Sequence, residues 1–388
     1  MNSRERFLAT MAFEPVDRPP LWEMGYWGGA IRRWYREGLP RVKGLPDSLA
    51  DGDSARGGFL GWKQGAVVAD DVHDALALND GCVRIPVNNY LQPAFTPEVL
   101  EDHGEWRLIR DPMGVVMRQK AQLDSLPDYV RGPVATLDDW RALAAERLQP
   151  TLEGRLPADW AEFVARYRDP SVPLSINGSH GFFGTPRYLM GVTQVLLAFR
   201  DQPELLKEIN SYLCGFWIAI FDQVLSQIKA DVLLIWEDMC YKTGPLISPA
   251  MFEEFMLPYY RRLTGFFRDR GVKVVHVDTD GDCRKLVPLF IQGGVTGLFP
   301  WEVTNGQNVA EIGEQYPQLQ LVGGIDKKAL ARGRAAIDAE LDSKVPQLLR
   351  RGGYVPCADH MVPPDVSWDD FVYYRHRVAE MASQRSGS

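Results

Sequence analysis

Short apolar runs recur along the last two-thirds of the chain, each followed by a longer stretch with helical spacing. Asp231–Trp236 reads DVLLIW, Val272–Val277 reads VKVVHV and Val295–Pro300 reads VTGLFP. A continuous apolar run of this length marks a strand buried on both faces, which is the condition of a parallel sheet covered by helices. The same reading predicts strands over Val172–Asn177, Leu319–Gly323 and Tyr354–Cys357, with an early one at Leu21–Met24. Helices are predicted between them, over Arg187–Arg200, Pro203–Ile228, Pro249–Arg270, Cys283–Ile291, Val309–Tyr316 and Ala336–Arg350, with Trp368–Met381 closing the chain. Repeated strand–helix units at this spacing favour a closed barrel. The expected fold class is therefore α/β, a (β/α)8 TIM barrel formed as one domain over residues 1–388.

Residues from 40 to 170 break the rhythm. Val83–Asn89, Glu105–Arg110 and Val115–Lys120 read as antiparallel strands, the last two joined by the turn Asp111-Pro112-Met113-Gly114. This stretch is expected to be an antiparallel β-containing insertion that covers the barrel. Residues 383–388 are expected to form a disordered tail.

A net charge of −8 argues against nucleic acid or an anionic membrane surface as partner, because both require a basic face. The five cysteines are widely spaced and contain no CxxC, so reduced thiols and a cytoplasmic setting are expected. The opening residues lack the apolar core of a signal peptide, and nothing reaches the roughly 18 apolar residues of a membrane span. GxGxxG, GxxxxGK[ST] and a GxSxG in the right context are missing, which removes the usual nucleotide and serine-hydrolase readings.

Barrel enzymes place their chemistry at the C-terminal ends of the strands. Here those ends carry Glu237 and Asp238, then His276 and Asp278, Glu302, and finally Asp359 and His360. His276 and Asp278 are two apart on a strand and share a face. His276, Asp278 and His360, with Cys357 or Glu237 nearby, offer the nitrogen, oxygen and sulfur donors that suit zinc or another divalent metal. Glu237, Asp238, Glu302 and Asp359 are the candidate catalytic acids. An EF-hand reading of DTDGD fails, because the twelfth position counted from Asp278 is Leu289. The segment Gly178-Ser179-His180-Gly181-Phe182-Phe183-Gly184 allows close approach of a ligand to the backbone. His180, Phe182 and Arg187 are thus candidate substrate-binding residues, with Trp22, Tyr26, Tyr241 and Trp301 as aromatic walls.

Several segments resemble the uroporphyrinogen decarboxylase superfamily, and most closely its methyltransferase-like members. They are NSRERFLATMAFEPVDRPPLWEM at the start, WEDMCYKTGPLISPAMFEEFMLPYYRRL, HVDTDGDCRKLVPLFIQGGVTGLFPWEV, and GGYVPCADHMVPPDVSWDDFVYY near the end. The resemblance implies a barrel with its site at the C-terminal mouth. It also separates two activities. The decarboxylases of this superfamily carry an arginine-rich loop after the first strand, whereas the matching stretch here is Met24-Gly25-Tyr26-Trp27-Gly28-Gly29-Ala30. A tetra-acid substrate would want bidentate arginine partners there. The methyltransferases hold zinc with a His-x-Cys pair and a later Cys; here the pair is His276-x-Asp278 and His360 falls near the later position.

The resemblance therefore implies a metal-dependent methyltransferase of the O-demethylase type. Its expected substrate is a small, methoxylated aromatic molecule, its expected metal is zinc, and a corrinoid protein is the partner that receives the methyl group. Superfamily barrels often pair, so a homodimer is expected. The alternatives are a lyase that decarboxylates a carboxylated aromatic or tetrapyrrole substrate, and a non-catalytic barrel that binds a small ligand.

Overall fold

A computed structural model describes residues 1–57, 67–78, 80–120, 128–303 and 306–384, with the backbone alone for Lys120, Gly178, Ser179, His180 and Gln384. Its centre is a seven-stranded parallel sheet. In spatial order the strands are Tyr354–Val355, Gln320–Val322, Gly297–Phe299, Val274–Asp278, Val232–Trp236, Leu174–His180 and Val83–Arg84. Sequential strands lie side by side with helices between them, the arrangement of a TIM barrel. Parallel bridges Tyr26↔Val362 and Ile325↔Ala358 tie the strand ends near the N-terminal segment.

The apolar runs lie in the expected strands because alternate residues satisfy two different surfaces. Leu233, Ile235, Val275, Val277, Leu298 and Leu321 pack in the large cluster beneath the helices. Val232, Leu234, Val274, Phe299, Val322, Val355 and Cys357 form a second cluster inside the barrel, joined by Trp22, Met24 and Cys82. Phe7 and Met11, from the helix Ser3–Met11, close this inner cluster from below. That helix starts with a capping box, in which Asn2 and Glu5 satisfy each other's backbone N–H groups. Arg4 grips Asp231 at the start of a barrel strand through bonds of 2.8–3.1 Å. The Gln320 side chain donates to the Met11 carbonyl at 2.8 Å, and the Gly353 N–H to Thr10 at 3.1 Å.

Five expectations change, one of them being that the helix expected over Pro249–Arg270 is two, Pro249–Phe255 and Leu257–Asp269. Leu21–Met24 supplies inward side chains, but the strand itself is Gly25–Trp27, paired antiparallel with Ser54–Arg56. Val83–Arg84 is a parallel barrel strand, paired with Leu174 and Ser175, rather than part of an antiparallel unit. The stretch 40–170 therefore also contributes to the barrel wall. Its antiparallel portion is a four-stranded sheet of Glu98–Asp102, Trp106–Arg110, Val116–Lys120 and Asp128–Arg131. The helix expected over Arg187–Arg200 is two, Gly184–Met190 and Val192–Asp201. Gly191 between them has φ 94°, and the Tyr129 ring lies where a Cβ would stand, 2.6 Å away. Finally, Ser383 and Gln384 belong to the last helix, Trp368–Gln384, while 385–388 lie outside the described residues. No helix among the described residues is long and apolar enough to cross a membrane.

Candidate active site

The C-terminal ends of the strands bring acids, a histidine and basic side chains to one mouth. Asp278 ends its strand opposite Trp236 on one side and Phe299 on the other. Its carbonyl accepts the N–H groups of Glu237 and Asp238, at 2.9 and 3.2 Å. Asp238 itself is held at φ 43°, an uncommon conformation for an aspartate. Both its carbonyl and its carboxylate accept from Arg187, at 2.6 and 2.5 Å. The Arg187 guanidinium lies 5.4 Å over the Trp236 ring.

Across the mouth, Lys327 donates to Glu302 and to Asp359, both at 3.2 Å. Asp359 is fully buried and also accepts from the backbone of Val303 at 3.0 Å and Lys327 at 3.2 Å. Glu302 accepts from the Gly281 N–H at 3.1 Å, which fixes the loop that carries Asp280. His360 completes the group: its Nε2 stands 3.8 Å from Asp280, and its ring faces Trp27 at 6.2 Å.

This crowding changes protonation. Burial pushes the Asp278 carboxyl well above the usual range; the negative Asp280 and Asp238 push the same way, and Arg56 opposes them. Burial and then Glu302 and Asp238 raise Asp280 to about 7. His360 is lowered by burial and by Lys327. Among the described residues, no hydrogen bond stabilises the Asp278 carboxylate. The mouth thus holds carboxylic acids that keep a proton near neutral pH, beside a neutral imidazole. Such a set can donate and recover protons.

The residues expected to hold a metal are not assembled. His276 is fully buried, and its Nε2 lies 2.9 Å from Gln320 Oε1. The Gln320 amide nitrogen is used on Met11, so His276 is the donor. Burial lowers its pKa to about 4. Cys357 is fully buried within the inner apolar cluster, where desolvation keeps it a thiol. Asp278 and His360 lie higher, at the mouth. Among the described residues no three His, Cys, Asp or Glu side chains group as a metal site. The donor set present here does not fit the zinc that the resemblance implied.

The candidate acids divide. Asp238, Glu302 and Asp359 reach the mouth. Glu237 instead points into the layer between strand and helices, fully buried. Its oxygens accept the N–H groups of Phe182, Phe183 and Gly184 at 2.8–2.9 Å and the Tyr260 hydroxyl. It caps the turn into the helix Gly184–Met190, a structural use of a carboxylate. Of the substrate-binding candidates, Arg187 is at the mouth. Trp22, Tyr26, Phe182 and Trp301 are core: Trp22 packs on Phe7, Tyr26 on Trp34 and Phe371, and Phe182 on Trp217 and Tyr260, while Trp301 is buried at φ 58°. Tyr241 is 60% exposed, on the short hairpin formed with Gly244 and Pro245. The His180 side chain lies outside the described residues.

Asp280, Lys327, Trp236, Arg56 and Arg84 were not among the candidates. Lys327 and Trp236 had the same signal as the acids, a position at a strand end. Arg56 and Arg84 come from the irregular N-terminal third, where no repeat marked a strand end.

The fold and this charged mouth define a TIM-barrel protein with an enzyme-like site. The uroporphyrinogen decarboxylase (URO-D) family model matches residues 109–380, and the chain belongs to that family, whose members are enzymes. Among solved structures it resembles a methyltransferase from Methanosarcina mazei, with a TM-score of 0.58 and 17% identity over 98% of this chain and 99% of the other. No curated protein matches the chain.

Proposed function

We propose that the chain is a methyltransferase of the O-demethylase type, using Asp280, backed by Asp278 and His360, as a general acid. Its substrate is a small methoxylated molecule. When the methyl carbon–oxygen bond breaks, the electron pair stays on oxygen and the Asp280 proton goes to it. The observation that carries this reading is a carboxylic acid held neutral up to about pH 7 at a barrel mouth. The architecture shared with a methyltransferase supports the reaction class. A corrinoid on a partner protein would supply the nucleophile that takes the methyl group. Asp238, held by Arg187, positions the Asp278 strand end, and Lys327 ties Glu302 to Asp359 opposite it.

A second reading is decarboxylation of a small aromatic acid, in which the same acid would protonate the carbon that loses carbon dioxide. The two arginines Arg56 and Arg84, half-buried and without ion-paired partners among the described residues, favour it.

The test offers methoxylated benzoates together with Co(I) cobalamin and follows methylcobalamin by its absorbance. Turnover by the native chain and a loss of about 10²–10⁴-fold in Asp280→Asn are expected. Carbon dioxide release from the same acids without methylcobalamin would establish the second reading instead.

A further inference from the structure

Elsewhere among the described residues, each buried arginine holds at least one hydrogen-bond acceptor. Arg6 binds Asp17 and Asp80, Arg155 binds the carbonyls of Asn88, Tyr90, Arg147 and Gln149, and Arg375 binds Glu23. Arg56 and Arg84 depart from this rule. Both are half-buried, and neither guanidinium has a hydrogen-bonded or ion-paired partner among the described residues. Arg84 lies on the inward face of its strand: Cys82, two residues earlier, belongs to the inner cluster, and Ile85 to the outer one. Arg56 ends the strand that pairs with Gly25–Trp27, the segment that also brings Trp27 beside His360.

The two guanidinium groups repel each other across the mouth wall, and Arg56 also feels Asp278. Burial lowers the pKa of each. Asp278 is a counter-charge to Arg56, and burial raises its own pKa, which weakens it in that role. Two planar forks of like charge therefore lie in the mouth wall with no hydrogen-bonded acceptor among the described residues. An unpaired buried cation is costly, and two side by side are more so, unless an anion arrives between them.

We propose that Arg56 and Arg84 form an anion subsite in the wall of the barrel mouth, which holds a carboxylate or phosphate group of the substrate beside Asp278. The proposal rests on the reading of this mouth as the active site. It adds that the substrate is an anion, anchored by one end while the Asp280 acid works at the other. The raised pKa of Asp278 fits this role, since its protonated form can donate a hydrogen bond to the same anionic group.

The subsite is tested by calorimetric titration of the whole protein at pH 7 and low salt with benzoate, inorganic phosphate and, as a neutral control, benzamide. Saturable binding of benzoate or phosphate, but not of benzamide, is expected. Binding of benzoate alone identifies a carboxylate, and binding of phosphate identifies a phosphorylated substrate. Arg56→Gln and Arg84→Gln each weaken the anion by at least about tenfold. Without ligand both melt at a higher temperature than the native chain, because the repulsion is gone. Arg84→Lys keeps the charge but loses the fork, and binds more weakly than the native chain. If neither anion binds, or both glutamine variants bind as well as the native chain, the subsite does not exist. Asp280→Asn separates this inference from the functional reading: it should lose turnover and keep anion binding. Native turnover without anion binding sinks the subsite alone; anion binding without any turnover sinks the acid and leaves the subsite standing.

Discussion

His276 and Asp278 are two residues apart on one strand and face the same way, yet they belong to different chemical regions. His276 sits in the barrel floor, its ring held by Gln320, which in turn holds the first helix. Asp278 sits at the mouth, with no hydrogen bond to its carboxyl among the described residues. In the floor and the strand–helix layer, polar side chains bind backbone groups and complete the fold. At the mouth the acids crowd one another. A polar residue inside the barrel stabilises the protein in one region and costs stability in the other, and that cost is the mark of a site shaped for a ligand.

The comparison can be broken most severely at Glu237, a fully buried acid with four hydrogen-bond donors. Glu237→Ala leaves three N–H groups and the Tyr260 hydroxyl without acceptors. A loss of about 3–5 kcal/mol is expected in chemical denaturation. Retention of native stability would mean that the carboxylate is not the cap described here. His276→Ala probes the floor more gently. It should cost about 1–3 kcal/mol, while elemental analysis finds the same metal content as in the native chain. A metal lost specifically with His276 would return this residue to the ligand set.

Asp280→Asn sharpens the mouth side, with the opposite sign. The carboxyl titrates near 7 in the folded protein and near 3.8 when unfolded. Between those values the folded state holds the proton more tightly, so native stability is highest below the window and falls as pH rises through it. The amide cannot ionise. The variant should therefore melt about 2–4 °C above the native chain at pH 8 and level with it at pH 4. Equal melting temperatures at both pH values would show that Asp280 is an ordinary exposed acid.

Much of the barrel was legible because its strands are buried on both faces, and a run such as DVLLIW has few other uses. The strand-end rule also found Asp238, Asp278, Glu302, Asp359 and His360, since each lies just past an apolar run. Depth was not legible. A period of two tells which side chains share a face, but two residues also rise about 6–7 Å along a strand. That step moves His276 from the mouth into the core. The aromatic residues failed for a related reason: Trp22, Tyr26 and Phe182 fill space wherever a barrel needs volume, and nothing local distinguishes a filler from a wall. Arg56 and Arg84 were hidden because their significance depends on neighbours distant in sequence, Asp278 for Arg56 and Arg56 for Arg84.

The helix Ser3–Met11 bears on how the chain assembles. Its partners include Asp17, Trp22 and Asp80 early in the sequence, and Asp231, Gln320, the backbone at Gly353 and the inward residues of the later strands further on. The helix thus cannot complete its packing until residues more than 300 positions further along the sequence have been made. Phe7 and Met11 stay only partly covered, by residues such as Trp22 and Met24, until the later strands are made. The bottom seal of the barrel is then among the last parts of the structure to form, and slow closure there would expose the nascent chain to aggregation before it touched the chemistry at the other end.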